Sequence, residues 1–444
     1  MNNFFYVYTL YIKKMESNTI QDIENMTEYD IHLPDMALPV QTKQNKAILG
    51  RISTSNYPIG ARGGEGVTEY EVVINNSNSL VMSNCDVCLD LTVDQVAAVA
   101  REGDNLFAGG QTLFKSVNVS LGSHKLCDVQ NVADRIADFH VRSTHTNDEL
   151  DYLSSLTGYK VSGGIGTTAD NRKKTLSLRI PLKWYGLDFG NLLPTGNISS
   201  SLRVNLSVNE KVKNMFSNLT AGENKITISN LRLETEFIEL QSTVRSKRLA
   251  LIKGTTGLTI PYHAYAVDTR TLPTTSELSE RISMTYNNVV SMFQLPYNNA
   301  QTDGYYDNVQ WNDDVDMNGI TSYLVNLPGG TYFNLNSNSG QSGKASHAKA
   351  LMETLRTEST TPGAGSAIVK GIDTYQVLCA NFVRANNVLS PAIIDSGINA
   401  KFLSGLMSTN AQFKSAISAG KSLTTITRYT QRIVMKSTGM AVYS

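Results

Sequence analysis

Apolar and polar side chains alternate along much of the chain from about residue 66 onward. The segment TLFKSVNVSLG is an example, with its apolar residues on one face. Those residues are Leu113, Val117, Val119 and Leu121. A period of two predicts a strand with one buried face. The alternation slips near Asn230, which predicts a β-bulge at that point.

Two short helices are predicted between these strands, within residues 131–156. Val132, Ile136 and Phe139 recur at helical spacing, and Thr146 and Glu149 form a capping box before a second apolar run. Helical signal also occurs around 346–357 and 396–418. Because strands otherwise follow one another without regular strand-helix alternation, the fold class predicted is all-β, with two sandwiches in tandem and short inserted helices.

The length of 444 residues exceeds what one hydrophobic core usually serves, so two domains are expected. Residues 242–254 are basic and poorly periodic and form the best boundary. The predicted division has four parts. They are an N-terminal arm over 1–50, a first sandwich over 51–245, a linker over 246–257 and a second sandwich over 258–444.

The charges balance, with 39 basic and 39 acidic side chains. No global field therefore draws the chain to nucleic acid or to an anionic membrane. With only 18% charged residues, the surface is suited to dense packing against copies of itself. The N-terminal FFYVYTLYI is too short to cross a bilayer, so no membrane span is expected.

Four cysteines are too few for a disulfide framework in a chain of this length. Cys85 and Cys88 lie in a strand-like segment, where residues three apart point to opposite faces. The two sulfurs are therefore interpreted as structural thiols and not as metal ligands.

The chain resembles several catalytic and ligand-binding motifs only in part. Gly420-Lys421-Ser422 ends like a P-loop but lacks the leading glycine, and the glycines near 164–166 are followed by a strand pattern where a dinucleotide fold needs a helix. His140 and His145 fall on different sides of a helix, and residues 312–319 lack the spacing and closing glutamate of a calcium loop. We expect neither an enzyme nor a bound cofactor or metal.

The order of segments in the first half resembles the double jelly-roll major capsid proteins of polinton-like viruses, virophages and adenovirus-like elements. The resemblance covers about residues 66–265. It rests on NLFAGGQTLFKSVNVSLGSHKL, on the paired helices, on LSLRIPLKWYGLDFGNLLPTGNISSSLRVNLSVN and on ITISNLRLETEFIELQSTVRSKRLALI. It implies two tandem jelly-roll β-sandwiches.

The apolar loop after residue 181 is the candidate assembly site, since a large apolar patch on a monomer marks an interaction surface. Its candidate residues are Trp184, Tyr185, Leu187, Phe189, Leu192 and Leu193. Packing of this loop onto the chain's own second domain is the alternative.

The resemblance implies a major capsid protein that forms pseudo-hexagonal homotrimers, which tile an icosahedral shell around a double-stranded DNA genome. Its partners would be copies of itself, neighbouring trimers and minor capsid or penton proteins. Its location would be the virion, after assembly in the cytoplasm or nucleus of the host cell. The alternatives are a β-sandwich attachment or glycan-binding protein and a metal-dependent jelly-roll enzyme.

Overall fold

The structure is a computed structural model, and it describes most of the chain from Ile48 onward. The described residues are 48–62, 69–74, 80–95, 109–157, 173–186, 193, 201–209, 224–255, 257–283, 286–298, 320–328, 330–336, 341–358, 364–365, 377–383, 397–400, 406–413, 416–417, 419–436 and 439–443. Residues 1–47, which make up most of the predicted arm, lie outside this set.

Strands dominate both halves of the chain. The first half contains β1 Ile48–Asn56, β2 Pro58–Arg62, β3 Glu69–Ile74, β4 Leu80–Gln95, β5 Phe114–Leu121, β6 His124–Val129, β7 Lys173–Pro181, β8 Leu202–Val208 and β9 Asn224–Leu240. The second half contains β10 Leu258–Thr271, β11 Glu277–Ser283, β12 Val289–Asn298, β13 Ile320–Leu327, β14 Gly330–Asn336, β15 Leu378–Asn381, β16 Leu406–Phe413, β17 Lys421–Lys436 and β18 Gly439–Tyr443.

Short helices interrupt the strands. They are α1 Ala133–Thr144, α2 Asn147–Thr157, α3 Ser242–Lys253 and α4 Gln341–Leu355, with 3₁₀ turns at Gly110–Thr112 and Leu182–Tyr185. The pair predicted within 131–156 is confirmed as α1 and α2. Its capping box is present, since the Thr146 amide donates to Glu149 Oε2 at 2.8 Å and the Glu149 amide donates to Thr146 Oγ1 at 3.2 Å.

The strands form four antiparallel sheets, two in each half. In the first half the orders are β1-β9-β4-β7 and β2-β3-β8-β5-β6. In the second half they are β10-β17-β12-β15, with β18 added on β17, and β11-β16-β13-β14. We call the two pairs of sheets the first and the second sandwich.

The two sandwiches repeat one topology. In each, the first strand pairs with a strand near the end of the unit, as β1 does with β9 and β10 with β17. The order β1-β9-β4-β7 corresponds to β10-β17-β12-β15. The order β2-β3-β8-β5-β6 corresponds to β11-β16-β13-β14 when β2 and β3 are taken together as the counterpart of β11. Eight strands wound across two facing sheets in this way define a jelly roll, so the predicted fold class is confirmed.

The first sandwich follows the predicted alternation. On β8 the residues facing the core, Leu202, Val204 and Leu206, have no exposed surface, and the residues between them lie towards solvent. The bulge predicted near Asn230 is also present. The register of β4 against β9 shifts between Cys88 and Asp90, and Asn230 has a positive φ of 53°.

The second sandwich is buried on both faces of its first sheet. Residues 289–295 of β12 and 422–430 of β17 are all buried, without alternation. Part of the outer face of this sheet is covered by α1, which comes from the first half of the chain, and Glu358 after α4 contacts the same face. A strand that is covered on both sides has no solvent face to be marked by polar residues.

The predicted linker over 246–257 stays a prediction. It overlaps helix α3, in which Val244, Arg248 and Ile252 recur every four residues and are buried. Two other predictions about local structure are wrong. The predicted helical stretch 396–418 contains strand β16. Strands β1 and β2 begin before the predicted start of regular structure, with β1 starting inside the predicted arm.

Candidate assembly site

Three residues of the predicted assembly loop lie inside the protein. Trp184 and Tyr185 form the 3₁₀ turn after β7 and are 2% and 0% exposed. Leu193 is also fully buried, and its backbone pairs with that of Met82 in both directions, at 2.8 and 3.1 Å. Leu187, Phe189 and Leu192 lie outside the described residues, so the prediction for them stays a prediction.

The buried part of the loop packs against the chain itself. The ring of Trp184 meets His145 edge-on with centroids 5.9 Å apart, and Tyr185 meets Phe114 at 6.0 Å. The expectation of an exposed patch is therefore wrong for Trp184, Tyr185 and Leu193. Aromatic rings of this size are buried where a partner is available within the chain, and α1 and β5 provide it.

The turn after Tyr185 touches the second sandwich, as the alternative interpretation proposed. Gly186 has a φ of 88°, and a Cβ placed on it would lie 2.8 Å from Cδ2 of Tyr265. Glycine is the residue that tolerates both this backbone conformation and this close approach. The loop therefore begins at the contact between the two sandwiches.

Helix α1 makes the central part of that contact, which we call the junction. Phe139 packs on Phe293 of β12 with ring centroids 4.6 Å apart, and both side chains are buried. Arg135 Nη1 donates to Thr424 Oγ1 of β17 at 3.0 Å. An amphipathic helix of the first sandwich therefore covers the outer sheet face of the second.

A buried polar network adjoins this apolar contact. Glu358, just after α4, accepts hydrogen bonds from the Tyr265 hydroxyl at 2.8 Å and from Ser291 Oγ at 3.0 Å. Its Oε1 lies 3.3 Å from Nη1 of Arg428, and Arg428 also donates to the Thr357 carbonyl. Buried charges in proteins are paired and hydrogen-bonded, as this pair is.

Two histidines lie beside the network. His140 Nδ1 is 3.3 Å from the Tyr265 hydroxyl. Burial, together with the positive charge of Arg428, lowers the pKa of His140 to about 3. The pKa of His263 is also lowered, first by burial and then by Arg428 and His140. Both imidazoles are neutral at pH 7, which avoids further positive charge next to Arg428.

The outer sheet face of the first sandwich has a different character. Asp86, Arg179, Glu234 and Arg232 form a chain of ion pairs across it, with N–O distances of 2.7, 3.0 and 2.7 Å. This face is therefore charged, with Arg179 half-exposed and Asp86 buried. The two sandwiches share a topology and differ in what their outer faces contact.

The four cysteines are free and buried. Burial raises the pKa of Cys85, Cys127 and Cys379 to about 12 and that of Cys88 to about 11. Thiols with raised pKa values are poor nucleophiles and poor metal ligands at neutral pH. Among the residues that the structure describes, no group of three histidine, cysteine, aspartate or glutamate side chains could hold a metal ion.

A cleft of about 380 Å³ lies between β6 and β10. Its lining includes Tyr286 and Tyr429, whose rings are stacked 3.8 Å apart, together with Lys125 and Asp128 of β6. Lys125 and Asp128 are paired with each other at 2.5 Å.

Large apolar side chains are exposed at few positions in the described part of the chain. They are Ile52, Tyr57, Ile59, Tyr152, Leu156, Tyr332 and Met352. None of them belongs to the predicted assembly loop. Sequence reasoning did not identify them as a surface, because they are scattered over strands, helices and one connection and leave no common periodic signal. No helix in the described ranges has both the length and the apolarity needed to cross a membrane.

Strand order, the junction and the paired sheets together define a double jelly-roll protein. No protein-family model matches the sequence, and no curated protein matches it. Solved structures do match. A chain of the PBCV-1 virus capsid is similar with a TM-score of 0.60 at 12% identity, over 92% of this chain and 100% of that chain.

Two further structures show the same likeness. The Faustovirus major capsid protein is similar with a TM-score of 0.55 at 10% identity, over 94% of each chain. A chain of the Sputnik virophage structure is similar with a TM-score of 0.52 at 11% identity, over 92% of this chain and 91% of that chain. At these identities the likeness establishes a shared fold, and it extends through the second half of the chain.

Proposed function

We propose that this protein is a major capsid protein, whose trimers tile an icosahedral shell around a double-stranded DNA genome. The observation that carries the proposal is the pair of jelly rolls with one strand order, held together by the junction. A unit with two similar lobes gives a trimer with six lobes and a pseudo-hexagonal outline. Such an outline can tile a closed shell.

The junction supports this role because a shell subunit has to keep its two lobes in one relative orientation. The Phe139–Phe293 contact and the network around Glu358 are both buried, and they join α1, β10, β12 and β17. Domain contacts within a chain permit motion unless they are large and apolar. A buried contact of this kind gives each copy a defined shape.

The work of the protein in this proposal is self-association, with no bond made or broken. Its partners are other copies of the chain and neighbouring trimers, together with minor capsid or penton proteins at positions where hexagonal tiles do not fit. It contacts no specific DNA sequence. It is located in the virion, after assembly in the cytoplasm or nucleus of the host cell.

The test is the state of the purified full-length chain. Light scattering should give three times the chain mass of 48.6 kDa. Electron microscopy should show pseudo-hexagonal particles or arrays. A stable monomer across salt and pH conditions would contradict the proposal. If that monomer bound glycans, an attachment protein would be favoured, and a stoichiometric metal in elemental analysis would favour an enzyme.

A further inference from the structure

The contact between the sandwiches joins two particular sheet edges. In the described part of the chain, β6 is the last strand of its sheet and β10 is the first strand of its own. They pack side by side, and the Tyr262 hydroxyl of β10 donates to the Leu126 carbonyl of β6 at 3.2 Å. Helix α1, which follows β6, then covers the sheet that β10 begins.

The shared strand order gives each of these edges a counterpart. In the second sandwich, β14 holds the place of β6 and is followed by α4. In the first sandwich, β1 holds the place of β10 and continues directly into β2. We call residues 48–62 the β1–β2 edge, and residues 330–336 together with 341–355 the β14–α4 edge. The chain uses one edge of each kind internally and leaves these two at its outer ends.

The exposed large apolar residues concentrate at these two edges. Of the seven such residues in the described ranges, Ile52, Tyr57 and Ile59 lie on the β1–β2 edge, with exposures of 43%, 64% and 68%. Tyr332 and Met352 lie on the β14–α4 edge, with exposures of 40% and 44%. The remaining two are on α2. Apolar residues grouped at a surface mark a protein contact.

Both edges are held in place by packing or strand pairing within the chain. Tyr332 packs its ring on Phe382 with centroids 5.3 Å apart and keeps its other side towards solvent. On the other edge, β1 is held along its length by β9, and β2 is held by β3. Ile52, Ile59 and Tyr332 therefore project from paired strands, which reduces the entropy lost on binding.

We propose that the β1–β2 edge of one copy binds the β14–α4 edge of the next copy, which repeats between chains the contact that β10 and β6 make within one chain. This inference rests on the proposed function and specifies the surfaces through which the copies of the proposed trimer contact each other. The contact is head-to-tail, so it closes a ring when the rotation allows it. Since each chain supplies two of six similar lobes, closure comes at three copies.

The experiment uses full-length variants with one charge placed on each edge. Ile59→Asp and Tyr332→Asp alter opposite edges, and Tyr152→Asp on α2 is the matched control, since Tyr152 is 78% exposed. Circular dichroism and thermal melting verify that each variant is folded. Sedimentation velocity then measures the fraction of each protein that is present as a trimer. A charge at the centre of a contact should raise its dissociation constant by on the order of 30-fold.

The expected result is trimer loss in both edge variants and wild-type trimers in Tyr152→Asp. A mixture of the two edge variants should form dimers, because each such pair contains one unaltered contact. Wild-type trimer levels in either edge variant, or equal loss in the control, would overturn the inference and leave the proposed function standing. A wild-type chain that stays monomeric would instead contradict the proposed function.

Discussion

The ring of Phe139 on α1 lies against the ring of Phe293 on β12, with centroids 4.6 Å apart and planes inclined by 53°. The two residues come from different sandwiches and lie 154 positions apart in sequence. This pair is the apolar centre of the junction, and the first prediction concerns it.

Phe139→Ala should lower the free energy of unfolding by about 3–5 kcal/mol, because it removes a fully buried ring and leaves a cavity between the sandwiches. Chemical denaturation followed by fluorescence measures the change. Tyr152→Ala on the neighbouring helix is the control and should stay within about 0.5 kcal/mol of wild type. A loss below about 1 kcal/mol in Phe139→Ala would show that the junction contributes little to stability.

Glu358→Gln should cost about 3 kcal/mol, because it leaves the buried Arg428 guanidinium without its counter-charge. The matched control is Glu353→Gln, which removes an exposed pair with Lys349 and should cost at most about 0.5 kcal/mol. The two variants are compared by the urea concentration at which half of the protein is unfolded, at constant ionic strength. Equal effects of the two substitutions would contradict the importance assigned to the buried pair.

Stability should fall as the pH is lowered below about 6.5, the pKa of histidine in an unfolded chain. Folding depresses the pKa of His140 to about 3 and also lowers that of His263, so the unfolded state binds more protons in this range. The stabilisation is therefore complete above pH 6.5 and decreases below it. At pH 5 His140 should account for about 2 kcal/mol, and His263 changes the stability in the same direction.

Charged and titratable groups face His140 from several elements. They are Tyr265 and His263 of β10, Arg428 of β17, Lys183 of the 3₁₀ turn and His145 after α1. His140→Gln removes one titrating group. It should therefore reduce the loss of unfolding free energy between pH 8 and pH 5 by roughly 2 kcal/mol. Denaturation curves at both pH values measure it, and an unchanged dependence would refute the assignment to His140.

Asn230→Val should destabilise the protein by about 1–2 kcal/mol more than Asn230→Gly does. Both substitutions remove the hydrogen bond from Asn230 Nδ2 to Asp90 Oδ2, which is 2.6 Å long. They differ in how they tolerate a φ of 53°, since a β-branched residue is strained there and glycine is not. Thermal melting of the two variants under the same conditions measures the difference. Equal melting temperatures would contradict backbone strain in the valine variant at this position.

The sequence predicted those features whose cause is local. The capping box at Thr146 and Glu149 is a matter of spacing within four residues, and the bulge at Asn230 is a one-residue shift in a period of two. Alternation identified strands such as β5 and β8, because one face of each meets the core and the other meets solvent. These signals do not depend on the rest of the chain.

Features that depend on distant partners were missed. Strand β16 carries Met407, Thr409 and Ala411 on its buried face, and a mixture of small and polar residues with so little apolar contrast resembled a helix. Strand β1 is an edge strand with Ile52 exposed, so its alternation is weak. Trp184 and Tyr185 are apolar residues in a loop, and the residues that bury them, His145 and Phe114, are far away in sequence.

The covering of β12 and β17 by α1 has a consequence for biosynthesis. A ribosome delivers α1 before it delivers the strands that this helix protects, so the template is already available when those strands emerge. Expressed by itself, the C-terminal half would present Phe293 and its neighbours to water, and exposed apolar surface favours aggregation. The order of the two halves along the polypeptide thus lets the later half fold against a surface that is already present.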